Sequence, residues 1–371
     1  MLRKTSLAIL SLVLLLAVLP TAQAKDSTEA RSRAAYAPEA GAYFSYGGGS
    51  DAIRSIVLNA INSTPEGSVI RVVMWAFSDM GMAEALNDAD NRGVEVKMLI
   101  ARSSAAYSAT QYLRDYVDNT EGSFVKLISH AGRGGQAWGA NAGTLHQKSW
   151  TFSTTGSAHW VTIVTSANAT EEAHEHQFND AWRFVDYLDV YNDIKAKFEW
   201  AQKDRLWPTP FRQSSHGLTQ LTFSPWNGPA MADPVVRRIQ ALPTNRLNIR
   251  VANAAWSGTR GVRIAKALAA KKRDGAKIWV IHGKPFGDNV RGVLRDAGIP
   301  MRNRYLSSSR YLHSKFMTAS YYQNGRRATR VWQGSENWGD GSRSGDELVA
   351  RIVAGSAHTA YVRQFDWLWD Q

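Results

Sequence analysis

One stretch of this chain is written twice. Residues 69–100, "VIRVVMWAFSDMGMAEALNDADNRGVEVKMLI", and residues 248–281, "NIRVANAAWSGTRGVRIAKALAAKKRDGAKIWVI", pass through the same order of features. Each opens with an apolar run of strand length and turns at an aromatic–serine pair, Phe77-Ser78 or Trp256-Ser257. Helical periodicity then continues to Gly93 or Gly275, and a second apolar run follows. Downstream, each copy has a helix near 109–117 or 289–296, a short strand near 124–129 or 300–305, a loop, and Leu-His-x-Lys. Two generic β-α-β units would not agree over so many consecutive elements, so the chain reads as a duplication. Alternating strands and helices put it in the α/β class. The expected architecture is two similar lobes, each a mixed, mostly parallel β-sheet flanked by helices. The first spans 41–205 and the second 220–371. A linker at 206–219 contains "WPTPFRQSSHG", and a flexible segment at 25–40 precedes the first lobe.

Composition narrows the chemistry. The 371 residues contain no cysteine, which excludes thiol nucleophiles, thiolate metal sites and iron–sulfur clusters, and leaves stability to the core. Residues 1–24 have the layout of an export signal: Arg3 and Lys4, the apolar run "SLAILSLVLLLAVLP", and "AQA" before Lys25. That run is short for a membrane span, which takes about 20 residues, so the expected localisation is secreted. Charge is uneven. Residues 25–218 hold 18 Lys/Arg against 22 Asp/Glu, whereas 219–371 hold 24 against 10, a balance of +14. The second half should attract a polyanion or an anionic surface, although "AKALAAKKRDGAK" also reads as a solvated helix face.

The segment "LHQKSWTFS" places His146 and Lys148 at alternate positions of a strand, facing the same way. With nine histidines in 371 residues, His-x-Lys arises by chance about a third of a time per chain, so one copy carries little. Its twin "LHSKFMTAS" repeats the pair as His313 and Lys315, and both copies reach a serine at the same offset, Ser153 and Ser320. A third instance, His282-Gly283-Lys284, has no downstream companion and reads as a loop. The two matched copies do have companions: after another apolar strand come "TSAN" (165–168) and "GSEN" (334–337). Ser166, Asn168, Ser335 and Asn337 offer neutral hydrogen-bond donors suited to phosphoryl oxygens. Either asparagine alone could be a turn residue, and "NAT" is also a glycosylation sequon; their repetition behind His-x-Lys argues for the site.

These motifs resemble the phospholipase D superfamily, whose signature is His-x-Lys-x4-Asp followed by Gly-Ser-x-Asn, usually twice. "HQKSWTFS…TSAN" and "HSKFMTAS…GSEN" match it over most of 40–371, except that Ser153 and Ser320 stand where the family keeps aspartate and Thr165 where it keeps glycine. The resemblance implies a phosphodiesterase in which one histidine attacks phosphorus to form a phosphohistidine and the other protonates the leaving alcohol, then activates water or an acceptor alcohol. It implies His146 as nucleophile, His313 as general acid, and Lys148 and Lys315 as the positive charge, with no metal and no other cofactor required. It also implies an acid behind each histidine; Asp180 of "FNDAW" and Glu347 of "GDELV" fit the spacing, although each is equally a solvated acid at a strand start.

Weaker signals remain. "EEAHEH" (171–176) has the density of a metal site but reads better as a polar loop at the mouth of the site. "GGGS" at Gly47 and "GRGGQ" at 132–136 lack the Gly-Lys-Ser/Thr of a phosphate loop and read as turns. Export and tryptophan-bearing loops such as "QAWGAN" and "ENWGD" favour phospholipid at a membrane or micelle surface, hydrolysed or transferred by a monomer. The alternative partner is nucleic acid, favoured by the basic second half. A non-catalytic binding protein on the same fold is a third reading.

Overall fold

The computed structural model describes residues 33, 35–46, 48, 51–129, 144–205, 212–226 and 232–371. The strands of the first half are β1 (Gly41–Tyr46), β2 (Val69–Met74), β3 (Glu95–Ala101), β4 (Phe124–Ile128), β5 (Ser149–Thr155), β6 (Ala158–Thr165) and β7 (Gln177–Phe184). Those of the second are β8 (Arg212–His216), β9 (Thr219–Phe223), β10 (Asn248–Asn253), β11 (Lys277–His282), β12 (Met301–Asn303), β13 (Tyr305–Ser307), β14 (Arg310–Leu312), β15 (Lys315–Gln323), β16 (Arg326–Gly334) and β17 (Leu348–Ile352).

The duplication is visible in strand order. The central strands run β7-β6-β5-β2-β3-β4 in one sheet and β17-β16-β15-β10-β11-β12 in the other. Each is completed by strands from elsewhere: β14 and β1 join β7, β13 joins β14, and the β8-β9 hairpin joins β17 through β9. Both sheets are mixed. Antiparallel pairings dominate each, however, and the expected "mostly parallel" arrangement is confined to β2-β3-β4, β10-β11-β12 and the β14-β7 contact. The reason is that β5-β6 and β15-β16 are tight hairpins, and β6-β7 and β16-β17 are antiparallel neighbours joined by loops with a short helix, so none of them needs a crossover. Linker 206–219 also needs correction: 212–216 are β8, a sheet strand, and 206–211 lie outside the described residues. Residues 1–32, the export signal among them, and the "QAWGAN" and "GRGGQ" loops likewise lie outside them. The end of segment 25–40 is held in place, with Tyr36 O accepting from Ser157 N at 2.8 Å.

Period-two alternation gives each sheet two faces. The outer face of the first packs on helices Ala52–Asn62, Met80–Asn91 and Ser108–Tyr116. That of the second packs on Pro234–Gln240, Gly258–Arg273 and Asp288–Asp296. Along β16, Trp332 turns to these helices and Val331 to the other face, where Phe178, Phe316, Leu348 and Tyr361 from both lobes share one core. The terminal helix Gly355–Asp370 enters that shared core. Trp367 touches Tyr46 and Phe178 of the first lobe, so this helix joins the lobes and does not pack on the second alone. Local sequence explains the boundaries. Asp51, Asp79 and Asp233 cap their helices by accepting from Ile53, Met82 and Val235 N–H. Gly93 and Gly275 follow their helices at φ +87° and +93°, a left-handed conformation that glycine takes without penalty.

Candidate active site

Both His-x-Lys segments sit at strand starts, and each is hooked to the opposite lobe. Leu145 forms a bridge to Asp346, and His146 N–H donates to Asp346 O at 2.9 Å. On the other side Leu312 pairs with Phe178, and His313 N–H donates to Phe178 O at 2.9 Å. Asp346 is itself anchored by Lys197, at 2.5 Å in the buried core. The two lobes therefore exchange backbone bonds at the place where the histidines emerge.

The rings are held through Nδ1. His146 Nδ1 lies 2.9 Å from both carboxylate oxygens of Glu347, and His313 Nδ1 lies 2.9 Å from Asn179 Oδ1. Register proves the equivalence. Thr165 pairs with Ala181 and Gly334 with Val349, so Asn179 and Glu347, each two residues earlier, occupy the same place. The Asn179 amide orientation follows from its other bonds: Nδ2 donates to Ala173 O and Gln177 Oε1, while Oδ1 also accepts from Ser166 Oγ. Nε2 of each histidine is the nitrogen left for chemistry.

This corrects one expected role. Asp180 is not behind His313, because adjacent strand residues face opposite ways and Asn179 takes that position. Asp180 is fully buried, accepts from Lys315 N at 3.1 Å, and is pushed up to about 6 by burial, which outweighs its contacts with Lys315. A second correction concerns the serines. Ser166 Oγ donates to Asn179 Oδ1 at 2.9 Å, and Ser335 Oγ donates to Glu347 Oε2. In turn they accept from Asp180 N and Leu348 N. Their hydroxyls are spent holding the residues that hold the histidines, and are not turned to a phosphate. Asn168 and Asn337 differ: in both, Oδ1 is buried without a partner among the described residues, so neither amide oxygen is consumed in this way.

Lys148 Nζ folds back to His146 O at 2.5 Å, and Lys315 Nζ does the same to His313 O. The four residues share one environment. Burial lowers the His313 pKa well below its ordinary value, and Lys315, Lys148 and His146 lower it further. Burial also lowers His146, against the pull of Glu347, with Lys148 and Lys315 adding to the drop. Lys148 falls well below the usual lysine range through burial, and Lys315 falls to about 7 for the same reason. Glu347 stays below its ordinary value, its own burial being outweighed by His146 and Lys148.

Trp75 is a site residue that the motifs did not reveal. Its ring is 5.5 Å from that of His146 and 5.6 Å from Lys148 Nζ, closing one side of the first His-x-Lys. On the open side a cavity of about 380 Å³ is lined by His146, Glu347, Asn337, Thr144 and Ser257. Ser153 has a duty elsewhere: it accepts from Val69 N at 2.8 Å where β2 begins, and so ties two strands together. In "EEAHEH", His174 is buried between Asp51 (2.5 Å) and Asp79 (2.9 Å), an internal clip and not a mouth residue. Glu172 does reach outward, accepting from Tyr311 Oη at 2.6 Å.

Two His-x-Lys pairs meeting across a duplicated α/β frame can be set beside known proteins. The family model described as "Cardiolipin synthase, PLD-like domain" matches residues 57–201. Residues 57–201 thus carry a phospholipase D-like domain. Among solved structures, the chain is similar to phosphatidylserine synthase from Haemophilus influenzae Rd KW20, at 10% identity and TM-score 0.58 over 93% of this chain and 90% of that one. It is also similar to polyphosphate kinase from Porphyromonas gingivalis, at 12% identity and TM-score 0.53 over 88% of this chain. The chain spans about half of that kinase, 49% of its length. A yeast tyrosyl-DNA phosphodiesterase mutant matches at 10% identity and TM-score 0.50 over 85% of this chain and 90% of that one. At these identities the likenesses show the fold. No curated protein matches the chain in sequence.

Proposed function

We propose that this protein cleaves phosphodiesters by two successive displacements, with His146 as nucleophile and His313 as acid, then base. One observation carries the assignment: a carboxylate, Glu347, backs His146, whereas a neutral amide, Asn179, backs His313. When Nε2 of His146 bonds to phosphorus, its ring becomes cationic with the proton kept on Nδ1. The Glu347 carboxylate neutralises that charge. His313 has no such counter-charge, so its protonated form is a strong acid and a ready donor.

In the first step the His146 Nε2 lone pair forms the N–P bond, the P–O bond to the alcohol breaks, and His313 Nε2–H passes its proton to the departing oxygen. In the second, His313 takes a proton from water, the oxygen attacks phosphorus, and the P–N bond breaks. Lys148, Lys315, Asn168 and Asn337 are placed to bear on the remaining phosphoryl oxygens, each such donor contributing roughly 3 kcal/mol to the transition state. The arriving anion favours the charged form of both lysines against the effect of burial.

For the substrate we favour nucleic acid. The phospholipid expectation leans on tryptophan at loop tips. Trp338 of "ENWGD" is buried, 4.7 Å in edge contact with Trp256, and "QAWGAN" lies outside the described residues. What remains is the +14 of 219–371, which suits a phosphate backbone. Secretion belongs to the same proposal and rests on residues 1–24; exported protein beginning at Lys25 would support it. The deciding experiment incubates purified protein, in chelator, with single-stranded DNA, plasmid and mixed phospholipid vesicles. DNA cleavage that is lost in His146→Ala supports the reading. Headgroup release without DNA cleavage replaces the substrate and keeps the chemistry; turnover of none rejects the function.

A further inference from the structure

The duplication lets each lobe serve as a control for the other. Arg183 of β7 pairs with Ile163, and Arg351 of β17 pairs with Trp332, two residues beyond the matched Thr165 and Gly334. The two arginines therefore hold equivalent positions. Arg183 is saturated by its own chain. It donates to Glu39 O at 2.6 Å, to Tyr36 Oη at 2.9 Å and to Tyr43 Oη, and its guanidinium lies 4.7 Å from the Tyr43 ring. Arg351 lacks this lining: among the described residues its Nε is buried without a partner, and its charged neighbour is another arginine, Arg330.

Beside Arg351 a cavity of about 470 Å³ opens on the outer face of the second sheet. Arg237, Arg238, Arg330 and Arg351 reach its wall, and among the described residues no Asp or Glu does. Arg238 lies 5.8 Å from the Trp332 ring and Arg330 lies 5.7 Å from the Tyr321 ring. In the first lobe the matching face is closed by the 11-residue helix Ala52–Asn62, with Ile53, Ile56, Val57, Ala60 and Ile61 buried. The second-lobe helix, Pro234–Gln240, has only 7 residues, and among the described residues the space is left open. Arg238 is offset by Glu336 at 3.9 Å and Arg237 is exposed, but Arg330 and Arg351 face each other as like charges, a repulsion that an entering anion relieves. Arginine forks fit phosphate, and aromatic walls fit a planar ring. The volume is within the range of small-molecule sites, roughly 300–1,000 Å³.

We propose that this cavity binds a nucleotide, free or as a unit of a single strand, with Arg330 and Arg351 on its phosphate and the Tyr321–Trp332 wall against its base. None of His146, Lys148, His313 and Lys315 lines this cavity, which runs from Trp332, paired with Met317 two residues beyond Lys315, out to Tyr321, six residues beyond Lys315 along β15. The proposal deepens the nucleic-acid reading above.

The test is equilibrium binding to full-length His146→Ala protein, which removes turnover. The probes are a labelled 12-nucleotide single strand, AMP, inorganic phosphate, and vesicles of phosphatidylglycerol and phosphatidylcholine. We expect AMP and the single strand to bind better than inorganic phosphate. Arg330→Gln with Arg351→Gln should weaken both at least tenfold and flatten the salt dependence of strand binding by about 0.7 per lost phosphate contact. Arg237→Gln, at an exposed position that does not threaten folding, should weaken both by a smaller factor, and Arg326→Gln at the distant β15–β16 turn should not. Three outcomes overturn the proposal: equal binding by the arginine variants, binding of inorganic phosphate as tight as AMP, or binding of vesicles alone. Because the readout is binding by a protein that cannot turn over, failure of the catalytic reading leaves this result standing, and the reverse.

Discussion

Glu347 belongs to the second lobe and His146 to the first, yet both carboxylate oxygens lie 2.9 Å from the imidazole Nδ1. The reciprocal contact, Asn179 of the first lobe with His313 of the second, has the same length and no charge. A nearly symmetric frame thus carries two unlike histidines, and this asymmetry sets the expected behaviour of variants.

Glu347→Gln keeps the shape and removes the charge. It should lower kcat roughly a thousandfold with a small change in KM, since the carboxylate acts on the charged intermediate. Asn179→Ala should cost about tenfold. Steady-state kinetics on a chromogenic phosphodiester measures both; equal losses would mean that the two histidines are backed alike.

Asn179→Asp places a carboxylate behind His313. An opposite charge favours the imidazolium, so the His313 pKa should rise from its depressed value. NMR titration of ring protons reads this directly, and an unmoved His313 resonance would contradict the assigned contact.

The pH dependence of kcat/KM should be bell-shaped. His146 must be unprotonated to attack, and its pKa lies below 6.5, so the acid limb falls below that value. His313 must carry its proton to act as acid, and its pKa lies well below 6.5, so it sets the alkaline limb; Lys315, which burial brings to about 7, adds a further loss above neutrality. Glu347→Gln removes a group that raises the His146 pKa and should move the acid limb lower.

His313→Ala should spare substrates whose leaving group needs no proton. A p-nitrophenyl diester should lose much less rate than an alkyl diester, whereas His146→Ala should abolish both. Parallel losses in the two variants would remove the distinction between nucleophile and acid.

His174 gives a stability prediction. Burial lowers its pKa, but contacts with Asp51 and Asp79 outweigh that and leave it above 6.5. Because the folded value exceeds the unfolded one, the clip's contribution is complete below pH 6.5 and is lost as pH rises through the folded pKa. The thermal midpoint should fall across that window, and His174→Gln should remove the slope.

The duplicated order of strands and helices, and the residues that converge on the site, were legible because strand period and repetition act over long spans. His146, Lys148, His313 and Lys315 share both. Asn179 was hidden for a chemical reason: the search was for an acid, and the loop after "TSAN" is one residue longer than that after "GSEN", which put Asp180 in its place. Trp75 was hidden because its counterpart in the second copy is Ala254, so repetition gave no signal. Sheet direction was misjudged because β5-β6-β7 and β15-β16-β17 read as generic apolar strands, and tight turns at Gly156 and Gly325 are all that marks β5-β6 and β15-β16 as hairpins. Trp338 was placed at a surface because a Gly-flanked tryptophan looks like a loop tip; its burial depends on Trp256, which is 82 positions away in sequence.

The assignment of His146 as nucleophile is tested most directly by acid-labile, base-stable phosphoryl trapping. His313→Ala protein mixed with a p-nitrophenyl phosphodiester and quenched within the first turnover should carry one phosphoryl adduct, located by tandem mass spectrometry in the peptide containing His146. An adduct on His313 in the reciprocal His146→Ala protein, with none on His146 in the His313→Ala protein, would reverse the assignment. A reaction that proceeds with no adduct and with inversion at phosphorus would contradict the covalent mechanism itself.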